Sequence, residues 1–231
     1  MSAAPSRLGI PFVIAAASGT GKTTVCRKLI QRNREIGGRP IEFSVSHTTR
    51  PRRSQEVDGV DYRFVSDDRF QRLVDEDAFL EWATYNENRY GTSWSSIQGP
   101  LANGIDVLLE IEVHGAGQVR ERRDDARFVF LLPPSIDALT ERLQARGTDT
   151  SEQITRRLEH SGRELAAAVD FDYAVVNDRL DRCVEQLLDI VRAERCGGVA
   201  EVRRRFAPAA ALAGLQVGKD TAGRLDKGPL F

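Results

Sequence analysis

Apolar runs alternate with amphipathic stretches along most of the chain. The run IPFVIAAA is long enough for one buried strand, the glycine-rich segment SGTGKTT follows it, and VCRKLIQRNRE has the three-to-four spacing of an amphipathic helix. The runs DVLLEIEV, ARFVFLLPP and YAVVND predict further buried strands, with helical patterns between and after them. Strands that alternate with helices indicate a parallel sheet with helices on both faces. The pattern therefore predicts an α/β fold.

Residues 41–90 interrupt this alternation. They contain short β-like pieces (IEFSVS and YRFV), a polar link rich in turn residues (TTRPRRSQEVDG), and a helical pattern that extends over DDRFQRLVDEDAFLEWA. This change of pattern predicts an inserted, β-rich lobe rather than another strand and helix of the parallel sheet.

The segment after Cys196 is rich in Gly and Ala and poor in large apolar residues. Such a composition predicts no packed core of its own. We therefore expect residues 197–231 to form a flexible C-terminal tail, and residues after Gly198 to be dispensable for catalysis.

The segment AAASGTGKTT has the residues of a phosphate-binding loop in the required context, after a strand and before a helix. Its backbone N–H groups and the helix N-terminus would form a nest for an anion. Lys22 would lie over the transferred phosphoryl group, and the Thr23 hydroxyl would ligate Mg²⁺. The usual pattern has glycine at the position of Ala16, but alanine costs little there unless φ is positive.

A phosphate loop alone fits a GTPase, an ATPase, a transport motor or a small-molecule kinase. The inserted region adds Arg50, Arg52, Arg53 and Tyr62 among serine and threonine donors. Arginine binds phosphate with two parallel hydrogen bonds, although charged runs of this kind are also found in solvated turns. A second anion site beside a nucleotide loop favours a kinase with a phosphorylated acceptor.

Composition restricts the partners. The 231 residues include 33 basic and 34 acidic side chains, so no net field attracts nucleic acid or a membrane surface. The three cysteines form no C-x-x-C pair, the three histidines share no ligand spacing, and the longest apolar run is too short to cross a bilayer. Since the N-terminus also lacks a secretory pattern, we expect a cytoplasmic protein. We further expect a monomer or small homo-oligomer without nucleic-acid or membrane partners.

The order and spacing of several motifs resemble those of guanylate kinase. They are S-x-S-H-T-T-R-x-x-R-x-x-E-x-x-G-x-x-Y-x-F-V, then F-L-E-W, Y-G-T-S, D-V-L-L-E-I-E, F-L-L-P-P-S, E-R-L-Q-A-R-G-T-D-T, R-R-L and V-V-N-D. The resemblance implies phosphoryl transfer from ATP to GMP in purine nucleotide metabolism, with Mg²⁺ accompanying ATP. It implies a domain over residues 8–196, with a P-loop parallel-sheet core (8–43, 92–136 and 165–196), a GMP-binding lobe (44–91) and a helical lid (about 137–163).

The resemblance also implies the residues of each part of the site. Those expected at ATP are Ala16, Ala17, Ser18, Gly19, Thr20, Gly21, Lys22, Thr23, Thr24 and Asn177. Those expected at GMP are Ser46, Arg50, Arg53, Tyr62, Glu81, Tyr90, Thr92 and Glu112. The residues expected to stabilise phosphoryl transfer are Lys22, Arg50 and the lid arginines Arg142, Arg146 and Arg157, while Thr23 and, through water, Glu110 are expected at the metal.

Within these motifs, Glu81 and Thr92 would read the guanine edge and Ser46 would bond to O6. Glu112 stands where relatives commonly have aspartate, and His114 where they have glutamine. Two other functions remain open at this point: a non-catalytic guanylate-kinase-like scaffold that binds phosphorylated peptide, and a related P-loop kinase with another small phosphorylated acceptor. A scaffold would be expected to lose Lys22 or the lid arginines, and this chain keeps them.

Overall fold

The computed structural model describes residues 8–85, 87–144 and 151–215, with only the backbone of residues 143, 151–157 and 159. The described chain divides into two compact units. The first contains the residues up to Ala15 and Ile30–Phe128, and the second contains Ala16–Leu29 and the residues from Val129 onward.

Outside residues 41–90 the elements follow one another in the order that the apolar pattern predicts. The segment Ile41–Phe43, which the pattern assigned to the inserted lobe, is instead a strand of the parallel sheet. The strands are β1 (Pro11–Ala16), β2 (Ile41–Phe43), β3 (His47–Thr48), β4 (Arg63–Phe64), β5 (Phe79–Tyr85), β6 (Asn88–Ser93), β7 (Asp106–Glu110), β8 (Arg127–Leu132) and β9 (Tyr173–Val176). The helices are α1 (Lys22–Glu35), α2 (Asp67–Asp75), α3 (Trp94–Ala102), α4 (Val113–Arg122), α5 (Ile136–Gln144), α6 (Ser151–Ala166), α7 (Leu180–Cys196), α8 (Val199–Arg205) and α9 (Pro208–Ala213), and a short 3-10 helix covers Ala167–Asp170.

The parallel strands of the first unit lie in the order β2-β7-β1. Pro11 of β1 pairs with Val107 of β7, and Ile41 of β2 pairs with Asp106. Every residue of β1 is buried, as is β7 up to Glu110, which is typical of parallel strands covered on both faces. The second unit contributes the parallel pair β8 and β9, in which Val129 pairs with Tyr173. The α/β architecture with a parallel sheet is confirmed.

The inserted region forms a second sheet in the first unit, with the order β4-β3-β6-β5. Strands β5 and β6 are an antiparallel hairpin, and β6 also pairs antiparallel with β3. Its core consists of Phe70 and Leu73 from α2 against Phe79 of β5.

The predicted helix over DDRFQRLVDEDAFLEWA is wrong in its second half, because FLEWA belongs to β5. Helix α2 ends at Asp75, and Asp77 adopts a left-handed conformation with φ of 48°. The N–H of Ala78 then donates to the Leu73 carbonyl and that of Asp77 to the Val74 carbonyl, which is the hydrogen-bond pattern of a Schellman helix end. The sequence shows only a continuous apolar spacing there, since Asp rather than Gly occupies the left-handed position.

The predicted flexible tail is also wrong in its first part, since residues 199–213 form α8 and α9 packed in the second unit. Phe206, between them, is 5% exposed, and its carbonyl accepts from the N–H of Ala174 in β9. The Tyr173 hydroxyl donates to Glu194 of α7 at 2.5 Å, and burial together with this bond raises the pKa of Tyr173 to about 12. Arg203 of α8 also hydrogen-bonds to this hydroxyl. One buried aromatic side chain and a cluster of polar contacts therefore hold residues 199–213, which have too few large apolar residues to form a core of their own.

We expect Phe206→Ala to lower the free energy of unfolding by about 3–5 kcal/mol, since it deletes a buried aromatic ring and leaves a cavity. Urea denaturation monitored by circular dichroism measures this change. Arg204→Ala, at an exposed position in the same helix, should change stability by less than about 0.5 kcal/mol. Equal stability of the Phe206→Ala variant and the parent would show that this segment is not anchored as described, as would full stability after truncation at Gly198.

Among the described residues, no helix combines the length and the apolar character that crossing a bilayer requires.

Candidate active site

The phosphate loop runs from the end of β1 to the start of α1, in the second unit. Gly19 and Gly21 have φ of 90° and 91°, conformations that favour glycine. Ala16 is the last residue of β1 and does not have a positive φ, so alanine is accommodated there as predicted. Lys22 is the first residue of α1, followed by Thr23 and Thr24, which are exposed in its first turn. The loop therefore has the backbone shape that an anion nest requires.

Two of the predicted site residues hold the loop through one of its carbonyl groups, that of Thr20. The Asn177 side-chain amide donates to the Thr20 carbonyl at 2.7 Å, and Arg142 donates to the same oxygen at 3.2 Å. The other terminal nitrogen of Arg142 donates to the carbonyl of Asn177 at 3.2 Å. A Cβ at Gly21 would lie 3.2 Å from the Asn177 amide nitrogen, a close contact that adds to the preference for glycine. These contacts bring Arg142 and Asn177 to the loop.

Glu164 is a loop contact that the sequence reasoning missed. It lies on α6 and is 6% exposed, and its carboxylate accepts from the backbone N–H of Ser18 at 3.2 Å. His160, one turn earlier, places Nδ1 3.5 Å from the same oxygen. A glutamate at a buried position of an amphipathic helix was the available signal, but its partner is 146 residues away in sequence.

In the first unit, Glu56 organises the arginine-rich turn after β3. One of its carboxylate oxygens accepts from the Arg50 guanidinium at 2.7 Å, and the other accepts from the Arg53 backbone N–H at 2.8 Å. The hydrogen bond between the two side chains raises the pKa of Arg50 and lowers that of Glu56. Gln55, just before Glu56, does not have a positive φ, so the turn forms without a glycine at this position. The Arg53 side chain is exposed.

Two tyrosines lie beside Arg50. Its guanidinium carbon is 5.5 Å from the centre of the Tyr62 ring, and the Tyr62 and Tyr90 rings are 6.0 Å apart. Arg50 also shares a hydrogen bond with the Tyr90 side chain. Burial, followed by the negative charge of Glu110, raises the pKa of Tyr62. The Tyr62 hydroxyl is therefore a neutral donor next to a permanent cation, which is a suitable combination for a phosphate group.

The three residues predicted to read guanine lie together in the same unit. The Ser46 and Thr92 hydroxyls are 3.2 Å apart, and the Thr92 backbone N–H donates to one Glu81 carboxylate oxygen at 2.9 Å. Glu81 is 5% exposed and Thr92 is fully buried, and the two residues pair across the β5–β6 hairpin. The hairpin register therefore places Glu81 beside Thr92, and the Ser46 hydroxyl, just before β3, joins them through its contact with Thr92.

The remaining predicted residues are less closely gathered. Glu110 is half-buried at the end of β7, near enough for its charge to affect Tyr62. Glu112 is exposed and caps the N-terminus of α4 with its backbone, so the predicted strand DVLLEIEV ends earlier than expected. Arg146 lies outside the described residues. Arg157 lies on α6, and its side chain is outside the description. The described residues contain no group of three or more His, Cys, Asp or Glu side chains that could hold a metal ion.

Comparisons with known proteins give one answer. The family model described as guanylate kinase matches residues 9–194. The guanylate kinase of Syntrophotalea carbinolica is 45% identical over 190 residues, which covers 82% of this chain and 88% of that protein. The guanylate kinase of Neisseria gonorrhoeae is 47% identical over 189 residues, covering 82% and 90% respectively. The solved structure of guanylate kinase from Anaplasma phagocytophilum aligns with a TM-score of 0.66 at 27% identity, covering 89% of this chain and 94% of the other.

Proposed function

The chain belongs to the guanylate kinase family and is an ATP:GMP phosphotransferase, and we propose how its residues divide that reaction. The phosphate loop with Lys22 binds and activates ATP, and the lobe that contains Glu81 and Arg50 binds GMP. The observation that carries this assignment is the cluster of Ser46, Thr92 and Glu81, because a buried carboxylate next to two hydroxyls offers acceptors to the N1–H and 2-amino groups of guanine.

At the ATP end, the loop N–H groups and the start of α1 receive the phosphates of ATP. Lys22 neutralises charge that develops on the transferred phosphoryl group. Arg142 is held at the Thr20 and Asn177 carbonyls, so its positive charge is fixed beside the loop. Arg146 and Arg157 remain proposed lid arginines on the resemblance alone. Asn177 contributes to ATP binding by holding the phosphate loop, through its hydrogen bond to the Thr20 carbonyl.

At the GMP end, Arg50, Arg53, Tyr62 and Tyr90 bind the phosphate. Arg50 is already oriented by Glu56 and flanked by the tyrosines, so little conformational entropy is lost when the phosphate arrives. Because Glu56 also bonds to Arg50, the phosphate must share this guanidinium with the carboxylate, and the five N–H donors of arginine allow that sharing.

The chemical step requires positioning and charge stabilisation rather than a general base. The GMP phosphate is itself an anionic nucleophile, and the transfer requires it to lie in line with the terminal phosphoryl group of ATP. The Thr23 hydroxyl, on an exposed residue of α1, is an oxygen ligand of the kind that suits Mg²⁺. Glu110 remains a proposed ligand through water on the resemblance alone. Mg²⁺ bound with ATP would supply additional neutralisation of phosphate charge.

A coupled assay of ADP formation with GMP, dGMP, AMP and UMP as acceptors tests this proposal. We expect GMP to be used far better than AMP or UMP, because neither the adenine of AMP nor the uracil of UMP presents the two adjacent donors of guanine. Equal use of AMP and GMP would contradict the guanine assignment and favour a P-loop kinase of another acceptor.

We further propose that ATP and GMP are its partners, without nucleic acid or membrane, in a cytoplasmic monomer or small homo-oligomer.

Glu112→Asp should leave the KM for GMP similar to that of the parent and should hold or raise turnover. Glu112 is exposed and its side chain makes no capping hydrogen bond to α4, so a shorter carboxylate removes no helix cap. Steady-state kinetics with varied GMP measures both values, with Glu121→Asp, also exposed on α4, as the control. A turnover that falls tenfold or more would show that this site depends on the longer side chain.

A further inference from the structure

Helix α4 lies along β5, the edge strand of the lobe sheet, and contacts the strand from one helical face. The side-chain amide of Gln118 donates to the Trp82 carbonyl at 2.8 Å and accepts from the Trp82 N–H at 3.1 Å. Arg122, one turn later, donates to the Phe79 carbonyl at 2.7 Å. These side chains satisfy backbone groups that an edge strand otherwise leaves to solvent. The helix is therefore fixed against the strand segment that carries Glu81.

Gly115 lies on the same face, one turn before Gln118, and approaches Glu81 itself. A Cβ placed on Gly115 would lie 2.4 Å from one Glu81 carboxylate oxygen and 3.2 Å from the carboxyl carbon. The other oxygen accepts from the Thr92 N–H at 2.9 Å. The carboxylate is thus held between the Thr92 backbone and the first turn of α4, where the positive end of the helix favours a negative charge.

We propose that Gly115 is a specificity-determining positioning residue: its missing side chain gives the Glu81 carboxylate the one position from which it reads the guanine edge. This inference rests on the proposed role of Glu81 and names a residue that contributes no group to the substrate. Gly115 does not have a positive φ, so its backbone does not require glycine. The requirement is for space next to the carboxylate.

Gly117 provides a matched control in the same helix. A Cβ on Gly117 would meet nothing within 4 Å. Gly115→Ala and Gly117→Ala therefore bring the same gain in helix propensity, and only the first inserts a methyl group against Glu81. A difference between the two variants reports the contact with Glu81 and not a general effect on α4.

The experiment compares the parent, Gly115→Ala, Gly117→Ala and Glu81→Gln by steady-state kinetics with GMP and IMP. IMP retains N1–H but lacks the 2-amino group, so the GMP-to-IMP ratio of kcat/KM reports the position of the carboxylate. A contact of 2.4 Å must lengthen by about 1 Å, and a misplacement of ~1 Å can cost ~10²-fold. We expect Gly115→Ala to lower kcat/KM for GMP by about 10²-fold and to narrow the GMP-to-IMP ratio of kcat/KM. The KM for ATP should stay constant, and Gly117→Ala should behave like the parent.

The outcomes separate this inference from the proposed function. If Gly115→Ala matches Gly117→Ala while Glu81→Gln loses GMP use, Glu81 reads guanine but Gly115 does not position it, and the inference is overturned. If Glu81→Gln also keeps full GMP use and discrimination, the guanine assignment itself is overturned together with the inference. In the Glu81→Gln background, Gly115→Ala should add little, since two substitutions that act on one contact are not additive.

A second variant keeps the test decisive if Gly115→Ala does not fold, as judged by circular dichroism. Gln118→Leu leaves Gly115 unchanged but removes both hydrogen bonds to Trp82. We expect the GMP-to-IMP ratio to narrow by about threefold to tenfold in this variant, because the residue next to Glu81 loses its attachment to α4. An unchanged ratio would show that the position of α4 does not determine the specificity, which overturns the inference.

Discussion

Lys22→Ala should lower turnover on the order of 10³-fold while the protein remains folded. Lys22 is the first residue of α1, directly after the left-handed Gly21, so its backbone position is fixed by the loop. In phosphoryl transfer the protein contributes positioning and charge stabilisation, and removal of a single preorganised donor from a charge-stabilising site typically costs ~10²–10³-fold. Loss of a full positive charge should lie at the upper end of that range. The KM for GMP should change little, because the lobe residues that bind GMP are untouched.

The measurement is single-turnover and steady-state kinetics of ADP and GDP formation. Lys28→Ala is the matched control, since Lys28 is the other lysine of α1 and is removed from the loop. The control should retain the turnover of the parent. Retention of more than about a tenth of the turnover by Lys22→Ala would mean that another cation performs this role, and Arg142, fixed at the Thr20 carbonyl, would be the first candidate.

Local patterns predicted the parts of the fold in which short-range chemistry decides the conformation. The phosphate loop was predictable because a buried strand, two glycines and a helix follow one another within a short segment. The end of α2 was not predictable, because Asp77 adopts the left-handed conformation there. A glycine at this position would have indicated the end of the helix. The docked helices after Gly198 were missed for a different reason. Among the described residues after Gly198 only Phe206 is buried, and other contacts of the segment, such as that of Arg203 with Tyr173, are polar, so composition gave no sign of packing.

Long-range contacts limited the prediction of the site. Arg50, Tyr62 and Glu81 could be proposed from motif spacing, since those residues belong to patterns typical of a family. The contacts of Glu164 with Ser18 and of Gln118 with Trp82 join elements 146 and 36 residues apart. Their geometry depends on tertiary packing that no local period specifies. Gly115 shows this limit most clearly. From the sequence, a glycine inside a helical pattern only lowers the predicted stability of the helix, and its proposed role follows from its distance to Glu81.

Glu81→Gln should lower kcat/KM for GMP by about 10²–10⁴-fold and narrow the preference for GMP over AMP. One carboxylate oxygen already accepts from the Thr92 N–H at 2.9 Å. In the variant that N–H still requires an acceptor, so the amide oxygen takes this position and the NH₂ group is placed at the other. The 2-amino and N1–H donors of guanine would then face a donor. Hydrogen bonds to a charged group are worth ~1.5–3 kcal/mol each, so the loss of two amounts to about 3–6 kcal/mol, with tenfold for every ~1.4 kcal/mol.

Burial makes this effect large, because Glu81 is 5% exposed and water cannot easily replace a missing partner. Adenine offers an acceptor at N1 and carries no 2-amino group, so the parent should reject AMP and the variant should reject it less. Steady-state kinetics with both acceptors gives the ratio, and the KM for ATP should stay within about twofold of the parent. Glu76→Gln, at an exposed position after α2, controls for the loss of one negative charge. If Glu81→Gln used GMP as well as the parent does and still rejected AMP, guanine would be read elsewhere in the lobe, and Ser46 and Thr92 would lose their assigned partner.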